Sequence, residues 1–129
     1  MQKNILKLSW KTEILPIILI ILCWVASIYF YLRFPDVVPT HWNVRGEIDG
    51  WSNKIIGAFA IPALNTIMYV AFLIFPFMDP KKDRYKDFSG VYSIFRSMII
   101  GIMTAIYFIA SLNGIGYKIA VGTWVPLLI

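Results

Sequence analysis

Charge is scarce in this sequence. Asp, Glu, Lys and Arg make up 15% of its 129 residues, against about 25% in an average soluble domain. Cysteine is nearly absent: the single one, Cys23, cannot form an internal disulfide, which excludes a disulfide scaffold and leaves the redox compartment unmarked. What fills the space is apolar, with 59% hydrophobic residues, 16% aromatics and a mean hydropathy of +0.71. That composition excludes disorder. A soluble globule of this size also has too little interior to hide so much apolar surface. An ordinary cytosolic enzyme domain goes with it, and a small integral membrane protein is left.

Three long runs carry the apolar residues. The first, residues 14–32, has nineteen positions and no charge. As a helix it reaches roughly 28 Å, close to the thickness of a bilayer core. Val25-Ala26-Ser27 loosely resembles a signal cleavage site, but the run is longer than a usual signal core of about 7–15 residues. A retained signal-anchor helix is therefore expected. The second run, residues 55–78, holds Pro62 and Pro76, which should kink it or mark its ends. Asn65 is its one strongly polar interior residue and reads first as an interhelical hydrogen-bond partner, second as a ligand. In the third, residues 97–117, Ser97, Gly101 and Ala105 continue an i+4 stripe begun by Ser93, which lets another helix approach closely. The same stripe offers a route to a homo-oligomer. Residues 113–129 read as the start of a fourth span cut short, as in the front part of a larger protein.

The fold class is thus all-α, a multi-pass helical bundle of three spans and a partial fourth. Tyr85, Phe88, Val91, Tyr92 and Phe95 recur at helical spacing, so residues 85–95 are expected to lie as an amphipathic segment in the membrane interface before span three. Loop charge sets the orientation. The N-terminal Lys3, Lys7 and Lys11 and the five Lys/Arg of residues 79–96 stand on one side, eight against the four of residues 33–54 and Lys118 on the other. The N-terminus and the 79–96 loop are accordingly expected in the cytoplasm of a bacterial-type cell membrane, with the 33–54 loop outside. The net charge of +5 sits at span edges, where it meets lipid headgroups. No free basic stripe with interleaved aromatics is present for nucleic acid.

Function is most readily written in the outward loop. Pro35 and Pro39 enforce extended backbone, Gly46 and Asp49-Gly50 offer turns, and Ser52 or Asn53 can cap the second span, so the loop should be compact. His41, the only histidine, has three readings. It could bind metal with Glu47 or Asp49, although the spacing fits no standard ligand pattern. It could act as a general base, although no Ser or Cys nucleophile is evidently placed for it. Or His41 and Asn43 tie the loop to backbone carbonyls at the membrane surface, the default. No cofactor and no metal is assigned on this reading, and an enzyme is the least favoured class.

Phe34-Pro35-Asp36, then Pro39-Thr40-His41-Trp42-Asn43, Gly46, Asp49-Gly50 and Lys54 closely resemble the N-terminal domain of the SdpI family, bacterial membrane proteins that include immunity factors against secreted toxin peptides. Phe34 stands where that family usually has Leu. After the second span, Asp79-Pro80-Lys81-Lys82 looks like the family's Asp-Pro motif at the cytoplasmic end. The resemblance covers roughly residues 10–112 and marks residues 1–112 as one membrane domain. It implies an all-helical multi-pass fold, immunity against a secreted antimicrobial peptide, and membrane recruitment of a regulator. Trp42, Trp51 and Phe34 would then supply contact area to the peptide, with His41, Asn43, Arg45 and Asp49 shaping the loop. Independently, Lys81, Lys82, Arg84 and Lys86 form a basic patch for anionic lipid or an acidic cytoplasmic partner, and a structural or signalling subunit is the alternative. Asp79 is placed to accept hydrogen bonds from the following backbone.

Overall fold

The computed structural model describes residues 6–128; Lys3 and Ile129 therefore lie outside the described residues. The order is α1 (Trp10–Arg33), β1 (Val37–Trp42), β2 (Ile48–Asn53), α2 (Lys54–Met78), a single 3-10 turn (Lys82–Arg84), α3 (Ser89–Gly114) and α4 (Val121–Leu127). Helices α1, α2 and α3 are each long and apolar enough to cross a membrane, with mean hydropathies of 2.4, 2.0 and 1.8 over an eighteen-residue stretch of each. They pack against one another as an up-down-up bundle. The hairpin, the end of α3 and α4 gather at one end, and the 79–88 turn and the start of α1 at the other.

Two helices begin several residues earlier than their uncharged runs. α1 starts at Trp10 and takes in Lys11 and Glu13; α3 starts at Ser89 and takes in Arg96. One contact accounts for both. Arg96 Nη2 donates to Glu13 Oε1 inside the bundle, where the Arg96 side chain is only 1% exposed. Neutralised in this way, both charges fit within helices that a charge-free criterion cuts short. The earlier start of α3 also divides the aromatic segment 85–95. Tyr85 and Phe88 remain in the turn, whereas Val91, Tyr92 and Phe95 belong to the first turns of α3, with Tyr92 and Phe95 edge-on to Phe72 of α2. The interfacial stretch is thus shorter than its sequence pattern suggests.

Caps follow local chemistry. Asn53 Oδ1 accepts the backbone N–H of Ile56 (2.9 Å) and starts α2 directly after β2. Pro62 and Pro76 both lie inside α2; Thr66 Oγ1 donates to the Pro62 carbonyl (2.8 Å) one turn later. α2 ends at Met78 with Asp79 as its cap. After Gly114 the chain reverses, and the seven-residue α4 follows, packed against α3 and the hairpin tip.

The interior is layered along α3, whose buried positions include Arg96, Ile100, Thr104, Tyr107 and Ser111. Next to the Glu13–Arg96 pair sits an apolar layer of Ile20, Tyr69 and Ile100. Asn65 Nδ2 then donates to Thr104 Oγ1 (3.2 Å) at full burial, the interhelical role expected of Asn65, with Cys23 Sγ 3.6 Å from the same hydroxyl. Beyond it, Phe30, Phe34, Val38, Ala58 and Tyr107 form the core under the hairpin, and Tyr107 donates its hydroxyl to the Ala58 carbonyl (2.9 Å). The small-residue stripe faces inward in part. Ser93 is buried, while Ser97, Gly101 and Ala105 are half-buried beside the α1 interface, where a Cβ on Gly101 would sit 4.0 Å from Leu19.

Candidate functional site: a cavity beneath the hairpin

The 33–54 loop is compact, and its form is an antiparallel hairpin. Val38 pairs with Ser52, Pro39 with Trp51, His41 with Gly50 and Trp42 with Ile48, with the register shifting around His41. Such irregularities commonly re-aim side chains at binding sites. The hairpin is rooted by Val38, 1% exposed. Its Cγ2 lies so near Gly57 of α2 that a Cβ there would come within 2.3 Å, so only glycine lets the strand settle onto the helix.

Asn43 builds the tip. Its Oδ1 accepts the backbone N–H groups of Arg45 (2.9 Å) and Glu47 (3.0 Å), while its Nδ2 donates to Glu47 Oε2 (3.0 Å). Asn43 thus ties the loop through backbone amides, not through the carbonyls expected from sequence. Gly46 completes the turn at φ +77 and touches Gly122 of α4 backbone to backbone; a Cβ on Gly46 would fall 2.8 Å from the Gly122 Cα. Among the described residues His41 likewise bonds no carbonyl. Its Nδ1 meets Asp49 Oδ1 at 2.5 Å across the hairpin, which fixes the ring and leaves Nε2 for a ligand.

These contacts hold the hairpin above a cavity of about 470 Å³. Its lining is predominantly apolar: Ile56, Gly57 and Ala60 of α2, Tyr107 and Ala110 of α3, and Val121 and Val125 of α4. Residues 38–44 provide another wall, with His41, Asn43 and Thr40 as its main polar groups. Small-molecule and peptide side-chain sites share this build, an apolar concavity with a few fixed polar groups.

The structure brings Pro39, His41, Trp42 and Asn43 together on this wall, with Asp49 bonded to His41 and Gly46 bonded into the tip. Lys54 stands apart at the root, its Nζ 5.0 Å from the Tyr31 ring centroid and 3.9 Å from Asp36. Phe34 is 7% exposed and packs in the core, where it also lines the cavity, so any contact it offers lies inside; Trp51 is 59% exposed on the outer surface of the hairpin. Glu47 turns to Asn43 and Arg45 instead of joining His41. Among the described residues no three His, Cys, Asp or Glu side chains are grouped to hold a metal ion. The α3 and α4 walls were missed from sequence because they reach the hairpin only through the folded bundle.

Residues 18–66 match the model of a family described as a domain of unknown function, DUF1648. The match takes in most of α1, the whole hairpin and the first half of α2. No curated protein and no solved structure matches the chain. The DUF1648 segment supplies the hairpin wall and α2 floor of the cavity, while α3 and α4 close it from outside the match.

The second motif lies at the opposite end. Asp79 Oδ1 accepts the backbone N–H of Lys81 (2.8 Å), as its sequence position suggested, and Asp79 Oδ2 accepts the Tyr85 hydroxyl (3.0 Å). These bonds, the Lys81 amide first, hold the Asp79 carboxyl below the usual carboxylate range, and Asp79 in turn pushes the Tyr85 phenol up. Pro80, Lys81, Lys82 and Arg84 are left exposed around the clamp.

Proposed function

We propose that this integral membrane protein binds a secreted antimicrobial peptide on its hairpin side and confers immunity of the SdpI type. The observation that carries the proposal is the cavity beneath the hairpin. It is apolar enough to take the side chains of an amphipathic peptide, and its hairpin wall includes Pro39, His41, Trp42 and Asn43, which are among the residues on which the family resemblance rests. The DUF1648 match over the hairpin supports the same reading. The role is binding, not catalysis, with the hairpin outside the cell membrane and the N-terminus in the cytoplasm. Trp51 lies exposed on the paired strand and extends the contact surface.

Survival of a toxin-sensitive bacterium under peptide challenge tests this, with membrane expression measured alongside. Wild type should protect. His41→Ala, Trp42→Ala and the cavity-filling Ala110→Phe should each lose protection at unchanged expression. Protection retained by all three would remove the hairpin cavity as the binding site.

The Asp79 clamp supports a second, compatible role, recruitment of a cytoplasmic regulator. It fixes the turn that presents Lys81, Lys82 and Arg84. Reversing those three charges should abolish recruitment without affecting protection; a partner still recruited would exclude the turn as its docking point.

A further inference from the structure

Three basic side chains at the hairpin end have carboxylate partners. Arg45 faces Glu47 at 3.7 Å, Lys54 faces Asp36 at 3.9 Å and His41 faces Asp49. Arg33, the last residue of α1, has no carboxylate within ion-pair distance among the described residues. Its guanidinium is nevertheless held in place, with Cζ 5.2 Å from the Tyr29 ring centroid. Arg33 and Tyr29 line a second cavity with Ile115, Gly116 and Tyr117, about 390 Å³ in volume and open to the surroundings. Unlike the cavity under the hairpin, this notch is walled mainly by polar surface. Gly116 turns the chain at φ +108 and leaves open space where a side chain would stand.

Position matters as much as composition. The notch lies where α1 ends at Arg33 and α3 ends at Gly114, the level at which two apolar spans stop. Lipid phosphates occupy that depth. A guanidinium offers a planar fork of donors matched to phosphate oxygens, and its stacking on Tyr29 limits the orientations it must give up on binding. The Tyr29 and Tyr117 phenols add donors at the same level, and both side chains are exposed.

We propose that Arg33, Tyr29 and Tyr117 form a phosphate site that holds the headgroup of an anionic phospholipid from the hairpin-side leaflet. A guanidinium without a carboxylate partner would thereby gain an anion, and α1 and the α3–α4 turn would be fastened to the membrane surface beside the peptide cavity.

Native mass spectrometry of the full chain in detergent, titrated with phosphatidylglycerol or phosphatidylcholine, tests the assignment. Wild type should retain phosphatidylglycerol about tenfold more strongly, the scale of one charge-assisted hydrogen-bonded contact. Arg33→Gln should bring the two lipids to parity, whereas Arg45→Gln, which removes a paired cation, should leave the preference intact. Arg33 is exposed, and helicity measured by circular dichroism should match wild type in both variants. Equal retention of phosphatidylglycerol by wild type and Arg33→Gln would overturn the site. Inorganic phosphate displacing the lipid at equal concentration would assign the notch to free phosphate and overturn the lipid source.

Discussion

Arg96 of α3 and Glu13 of α1 form an ion pair inside the bundle, and Tyr69 of α2 donates its hydroxyl to the second Glu13 oxygen at 2.6 Å. All three spans are thus joined at one carboxylate. Arg96 also stacks on Tyr92, its Cζ 5.6 Å from the ring centroid, so the guanidinium is enclosed on two sides. Among alternatives in an apolar bundle, a lone buried charge is the costliest, and each partner makes the other tolerable.

Breaking the pair should therefore cost more than removing it. Arg96→Ala or Glu13→Gln leaves one charged or polar group stranded and should destabilise the bundle by about 3–5 kcal/mol. The double variant Glu13→Leu with Arg96→Met should lie closer to wild type than either single change. Unfolding titrations in mixed detergent give the three values; a double variant less stable than both singles would show that the pair is not the unit of stability.

The contact of Val38 with Gly57 makes a second prediction. Gly57→Val places a branched side chain where the Val38 methyl already lies, an overpacking that costs about 1–3 kcal/mol. The hairpin should lift from α2 and the cavity beneath it should lose its wall. Combining Gly57→Val with Val38→Ala should restore part of the loss. Resistance of the hairpin to limited proteolysis reports this, with the single variant cut fastest and the double variant intermediate.

The three spans could be read from sequence because an uncharged run of about twenty residues has one common solution in a bilayer. Their true starts could not, since Glu13 and Arg96 look like edge charges until the bundle pairs them. The hairpin was hidden for a different reason. β1 contains Pro39 and β2 contains Gly50, both poor strand residues, and neither segment alternates cleanly. It is held by the burial of Val38 on Gly57 and by the Asn43 tip, contacts made only after folding. The wall residues Pro39, His41, Trp42 and Asn43 stood out as a motif. The opposite wall, Val121 and Val125 on α4, has no local signal linking it to a loop about eighty residues earlier.

Asn43 should prove the least replaceable residue of the tip. Asn43→Ala removes two acceptor contacts and one donor contact at once, each worth about 0.5–1.5 kcal/mol net. The amides of Arg45 and Glu47 should then exchange with solvent markedly faster, while the α2 amides below stay protected. Asn43→Asp keeps the acceptor but sets its charge against Glu47, so it should restore protection only partly. Unchanged exchange at Arg45 and Glu47 in the alanine variant would mean that the backbone turn at Gly46 alone shapes the tip.

The Asp79 clamp has a defined pH dependence. Its carboxyl is held below the ordinary range, first by the Lys81 amide and second by the Tyr85 hydroxyl. A carboxyl depressed on folding contributes its stabilisation above the unfolded value, about 3.9 for Asp, and loses it as pH falls through the folded value. The 79–85 turn should therefore stay formed at pH 5 and loosen only in stronger acid. The Lys81 amide resonance should follow this titration with a midpoint below 3.9. Asp79→Asn should abolish the titration while keeping a weaker neutral bond to the amide. Removing the Tyr85 hydroxyl in Tyr85→Phe should move the midpoint up toward the ordinary value without erasing it, because the Lys81 amide is the larger cause. A midpoint unmoved by Tyr85→Phe would assign the whole depression to the backbone, and the aromatic side chain would then serve only to pack against Phe88 and Tyr92.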